Sequence, residues 1–96
     1  MPRIQQLPPG LPEARHEIDQ IDAEIVRLLA IRLGIVLRAA NIKRAVGMSF
    51  RDDEREEEIL LNAAERAEDM GLPTKQVAKI FRQVLRISAK SQAGGD

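Results

Sequence analysis

Cysteine, tyrosine and tryptophan do not occur in this chain, and histidine occurs once. Without thiols there is neither a disulfide framework nor a thiolate-held metal, and a lone His16 cannot build a histidine cluster, so no metal or cofactor is expected. With Phe50 and Phe81 as the only aromatics, the stacking platforms used by single-strand binders are missing. Neither sign of charge dominates: fifteen Lys and Arg balance fifteen Asp and Glu, which leaves no electrostatic footprint for a polyanion. Nucleic acid is therefore not an expected partner. Long apolar runs are lacking too, and the N-terminus carries no basic segment followed by an apolar one. No membrane partner is expected, and the cytoplasm is the expected location.

What the chain does have is helical patterning. Ninety-six residues make one domain. At that size only about 60 to 65% of the unfolded chain's surface can be buried, so partner chains are expected. Residues 1–12 hold Pro2, Pro8, Pro9, Gly10 and Pro12, a composition that favours extended backbone and reads as an arm. From Glu13 to Arg44 no proline interrupts, and a single helix of about 45 to 48 Å is predicted, with Gly34 its weak point. A domain of this length is only about 34 Å across, so the helix has more apolar face than its own chain can cover. A homodimer pairing the long helices follows. Ala45 to Arg51 reads as a loop, Asp52 as the N-cap of a second helix using Ile59, Leu60, Ala63, Ala64 and Ala67, and Gly71 as its stop. Thr74 is the expected N-cap of a third helix, whose stripe is Val77, Ile80, Phe81, Val84 and Leu85. Residues 93–96 read as a disordered tail.

One position breaks the pattern. Ile18, Ile21, Ile25, Leu28, Arg32, Ile35, Ala39 and Ile42 alternate steps of three and four, the repeat of a helix face packed on another helix. Arg32 sits in that apolar seam. A buried guanidinium costs several kcal/mol unless an anion offsets it, and that anion is either a fixed carboxylate or a ligand.

Other polar residues fall on or beside apolar faces. Lys43 follows Arg32 by three turns plus about 20°, on the same side and about 16 Å along, which leaves room for a small dianion between the two side chains. It is equally placed to be a solvated lysine at a helix C-terminus. Asp52, Arg55 and Glu56 share one face of the second helix, as a surface charge cluster or as part of a site. Ser88 and Gln92 continue the third helix's stripe where aliphatics belong, and groups there need partners unless the helix end frays. Arg15 lies about 25 Å from Arg32 along the helix, too far for both to grip one small ligand from a single chain. In a dimer, Arg15 of one chain can enter the site built around Arg32 of the other.

With these residues in register, the stretch from Leu11 to about Gln92 resembles the all-helical, AroQ-type chorismate mutase family, and aligns without gaps to its short bacterial form. Arg15, Arg32, Lys43, Asp52, Arg55, Glu56, Ser88 and Gln92 fall on the family's eight polar positions. The resemblance implies an all-α chain of three helices, intertwined with a second copy into a helical homodimer with two active sites. It implies the Claisen rearrangement of chorismate to prephenate, on the way to phenylalanine and tyrosine. It also implies roles. Arg32 and the other chain's Arg15 hold the two carboxylates, aided by Ser88 and Arg55. Lys43 and Gln92 donate to the ether oxygen, and Glu56, with Asp52 nearby, meets the ring hydroxyl. That reaction needs no proton transfer and no covalent intermediate, which suits a chain without a base and orienter pair or a credible nucleophile.

The chain departs from the family at Leu33, where short mutases often carry a second arginine, and at Gly34, which weakens a helix by up to about 1 kcal/mol relative to Ala. Two relatives on the same fold are rivals, an isochorismate pyruvate lyase and a 4-amino-4-deoxychorismate mutase. The lyases lack the acidic pair matching Asp52 and Glu56, whereas an amino group at C4 would suit Glu56. A third rival is a non-catalytic helical dimerisation module, in which Arg32 pairs with Glu56 or Asp52 as a buried network.

Overall fold

The computed structural model describes residues 7–92, and these form three α-helices: α1 (Leu11–Ala45), α2 (Asp53–Asp69) and α3 (Thr74–Gln92). The whole of the expected tail and the first half of the expected arm, residues 93–96 and 1–6, lie outside the described residues. Helix α1 begins two residues before Glu13. Pro12 is admitted to its first turn because an amide there has no intrahelical acceptor to lose. Gly10, at φ 89°, turns the chain into the helix, and its carbonyl accepts from the Ala14 amide at 3.0 Å. Gly34 does not interrupt α1.

Each helix end is closed by local chemistry. At the end of α1, the amides of Val46 and Met48 donate to the Lys43 carbonyl, and Gly47 supplies the left-handed residue at φ 74°. Asp52 caps α2, its Oδ1 accepting from the Arg55 amide at 3.0 Å, and Asp53, Glu54 and Glu56 follow in the first turn where the helix dipole favours negative charge. Gly71, also at φ 74°, stops α2, with the Leu72 amide returning to the Ala67 carbonyl at 2.8 Å. Thr74 differs from expectation. The Val77 amide donates to the Pro73 carbonyl, so Pro73 holds the cap position and Thr74 is the first helical residue.

Packing divides the chain after Ile31 into two units. In the first, which is the N-terminal part of α1, Ile18, Ile21, Ile25 and Leu28 are all more than half exposed. In the second, α2 packs on α3 and the fully buried apolar residues are Ala40, Ala63, Ala67 and Val84. Three alanines and a valine are a thin core, and among the described residues no large side chain is completely buried. Within this unit, α1 turns inward the face of Arg32, Leu33, Val36, Ala40 and Lys43, while the seam residues Ile35 and Ile42 stay exposed, Ile42 at 64%. On α3, Ile80 belongs to the expected stripe but is 60% exposed. Among the described residues, no helix is long and apolar enough to cross a membrane.

Candidate active site

The inward face of α1, the start of α2 and the end of α3 enclose a hollow of about 240 Å³. Its polar lining is Arg32 and Lys43 from α1, Asp52, Arg55 and Glu56 around the start of α2, and Gln92 from the last turn of α3. Val36, Ala40, Ile59 and Leu85 supply aliphatic surface between them. Each polar residue reaches the hollow for a local reason. Arg32, Val36, Ala40 and Lys43 follow one another by four, four and three residues, which keeps them on one side of α1. The cap at Asp52 starts α2 in the register that brings Glu56, one turn on, to the same side.

Arg32 and Lys43 are not paired with a carboxylate among the described residues. Arg32 is half-buried, and its recorded partner is a hydroxyl: Nη1 donates to Ser88 Oγ at 3.1 Å. Ser88 itself is 6% exposed and donates to the Val84 carbonyl at 3.2 Å, so it fixes the guanidinium from behind and does not line the hollow. Lys43, also half-buried, donates from Nζ to the Phe50 carbonyl at 3.4 Å. Among the described residues no carboxylate lies within ion-pairing distance of Arg32, Lys43 or, reciprocally, any cation within that distance of Glu56. The buried Arg32 network with Glu56 or Asp52, required by the dimerisation-module reading, is thus not formed.

The remaining residues are differently engaged. Arg55 pairs with Glu58 at 2.8 Å, a pair in which both side chains are more than half exposed, so it is released at little cost. Asp52 uses one oxygen for the α2 cap. Arg51 is held by Asp53 at 2.8 Å; that hydrogen bond, the charge of Asp53 and then that of Glu56 raise its pKa. Arg15 belongs to the other unit, where it is exposed. Six of the eight residues singled out by sequence thus line one hollow, and a seventh, Ser88, supports it.

A half-buried guanidinium and ammonium facing a carboxylate and an amide across a small hollow can bind a dianion that also carries a hydrogen-bonding group. Residues 14–93 match the family model of chorismate mutase type II. The chain belongs to the chorismate mutase type II family. It is similar to the T-protein of Enterobacter agglomerans, with 32% identity over 78 residues, covering 81% of this chain and 21% of that protein. It is similar also to the bifunctional chorismate mutase/prephenate dehydratases of Buchnera aphidicola from Acyrthosiphon pisum, at 31% over 78 residues (81% and 20%), and of Aquifex aeolicus, at 33% over 78 residues (78% and 22%). The chain spans about a fifth of the length of these relatives. No solved structure matches it.

The sequence did not mark Phe50 as part of this hollow. It lies in the α1–α2 connection, read only as a loop, yet it lines the hollow and its carbonyl receives Lys43. A signal was present: one of the chain's two aromatics stands two residues before a helix cap, where turn residues are the rule.

Proposed function

We propose that the chain is a chorismate mutase, converting chorismate to prephenate in aromatic amino-acid biosynthesis, and that it works as a cytoplasmic homodimer. The observation that carries this reading is the pair of half-buried cations, Arg32 and Lys43, lining one hollow with no carboxylate of the described residues paired to either. An unneutralised pair in that setting is stable when an anionic guest supplies the missing charge.

In this rearrangement one C–O bond breaks and one C–C bond forms within a single molecule, and no proton or electron pair leaves it. What remains for a protein is to hold a flexible dianion in its compact reactive shape and to stabilise the charge that grows on the ether oxygen. Arg32, braced by Ser88, binds one carboxylate. Arg55, once it leaves Glu58, assists there. Lys43 and Gln92 donate to the ether oxygen, where their hydrogen bonds strengthen as the C–O bond lengthens. Glu56, with Asp52 beside it, accepts from the ring hydroxyl.

The second carboxylate is assigned to Arg15 of a second copy of the chain. A hollow of about 240 Å³ is small beside the usual ligand pocket of about 300 Å³ or more, which fits a site lacking one wall. The exposed seam of α1 is the face on which that second copy would pack. Incubating the protein separately with chorismate, isochorismate and 4-amino-4-deoxychorismate, and identifying each product, tests the reading. Prephenate from chorismate at the highest kcat/KM is the expected result. Pyruvate release from isochorismate, preferred turnover of the amino substrate, or no turnover at all would each replace it with one of the rivals.

A further inference from the structure

The α1–α2 connection carries one half-buried side chain, Phe50, between exposed Ser49 and Arg51. Two contacts converge on it. Its carbonyl accepts from Lys43 Nζ at 3.4 Å. The Arg44 guanidinium lies over its ring, 5.0 Å from the centroid. The residue also stands in the wall between the hollow that holds Lys43 and a neighbouring one of about 250 Å³ lined by Arg51 and Ala89.

Arg44 does not reach the ring as a loose surface side chain, because its Nη1 donates to Asn41 Oδ1 at 2.7 Å on its own helix. On the other flank, the Arg51 amide donates to Ser49 Oγ at 3.1 Å, and the α2 cap begins at the next residue. Phe50 is therefore fastened through its ring to the end of α1, and the hydrogen bond between its two neighbours closes the backbone around it. Its carbonyl is fixed by the same contacts.

Lysine is a point charge on a flexible four-carbon stem, and without a local acceptor its ammonium would leave the hollow for water. One N–H on a fixed carbonyl keeps it inside and leaves two for a ligand. At 3.4 Å the bond is long, so it yields readily to small shifts when a substrate oxygen arrives.

We propose that Phe50, pinned by Arg44, is a positioning residue whose carbonyl holds the Lys43 ammonium toward the substrate's ether oxygen. The kinetic consequence rests on the mutase reading; the placement of Lys43 does not. The variants are Arg44→Gln, Phe50→Leu, their combination, and Phe50→Tyr, which keeps the aromatic face. A cation–π contact at an exposed site alters an equilibrium by about two- to fivefold. Amplified by the misplacement of a charged donor, each of the first two is expected to lower kcat by about three- to tenfold with KM within about twofold. The combination should be no worse than the poorer single variant, because both act through one contact. Phe50→Tyr should recover most of the kcat that Phe50→Leu loses.

Unchanged kcat in both single variants, losses that multiply, or Phe50→Tyr as poor as Phe50→Leu would overturn the proposal. Should Phe50→Leu fail to fold, exposed Arg44→Gln decides alone. A second arm needs no turnover: lysines are reductively methylated with ¹³C-formaldehyde and the Lys43 resonance is assigned with Lys43→Arg. Movement of that resonance toward those of the exposed lysines in Arg44→Gln and Phe50→Leu supports the clamp, and an unmoved resonance in both sinks it. A protein that makes no prephenate but shows the movement loses the mutase reading and keeps the clamp.

Discussion

Single side chains here act in proportion to how far water is kept from them. Lys43 is half-buried in a hollow, with no carboxylate of the described residues paired to it, so its charge acts at short range and low screening. Replacing it with alanine is expected to lower kcat by about 100-fold or more while the circular dichroism spectrum holds, since a donor aimed at developing charge contributes mainly in the transition state. Unimpaired prephenate formation by that variant would remove Lys43 from the mechanism. Glu24 is the contrast. Its hydrogen bond to Arg27 holds its carboxyl below the usual 4.5, but both groups are exposed on α1. A depressed carboxyl favours the folded state above its unfolded pKa, and the contribution is lost as pH falls through the folded value. Carboxyl NMR titration should place the Glu24 midpoint below 4.5, and Arg27→Ala should return it there with the melting temperature almost unchanged.

Elements show how one residue serves both fold and site. Asp52 caps α2, and an alanine there costs about 1 kcal/mol, which in a domain this small lowers the melting temperature by about 4 to 8 °C. Asparagine caps equally well, so Asp52→Asn should melt within about 2 °C of the parent by calorimetry. Any fall in kcat/KM in Asp52→Asn therefore measures its carboxylate in the site, separately from the cap. Helix α1 poses a different problem. Its inward face binds the rest of the second unit, but Ile18, Ile21 and Ile25 have no cover in a single chain. Under the proposed homodimer, Ile21→Asp is expected to yield a poorly folded monomer, read by sedimentation and by loss of helical signal on dilution. A monomer of full helicity in the unaltered protein would contradict that expectation.

For the molecule as a whole, the issue is whether one chain is sufficient. Among the described residues the buried apolar side chains are Ala40, Ala63, Ala67 and Val84, a small core to set against the conformational entropy of ordering three helices. A second copy would cover the seam and bring Arg15 to the other chain's hollow. The corresponding experiment mixes Arg15→Ala with Arg32→Ala subunits, each expected to be nearly inactive. After exchange through mild denaturant, a hybrid dimer holds one intact site, and up to about a quarter of the parent activity should return. No recovery after exchange verified by mass spectrometry would show that the site is not shared.

The number, order and stops of the helices were legible in the amino-acid order, because glycines at positive φ, an aspartate cap and three-and-four spacing are local signals that neighbours enforce. So was the singular position of Arg32, since periodicity alone reveals a charge among aliphatics. Periodicity could not tell which anion, if any, Arg32 meets, nor that Ser88 stands behind it, because those partners are 56 residues apart and meet only when α1 and α3 come together. Nor could it distinguish the part of α1 that faces its own chain from the seam left open, a rotation of the packed face decided by the α2 and α3 surface. Phe50 was hidden for the same reason. A loop residue carries no periodicity, and its role arises only where the end of α1 and the start of α2 bring Lys43, Arg44 and a backbone carbonyl within reach of each other.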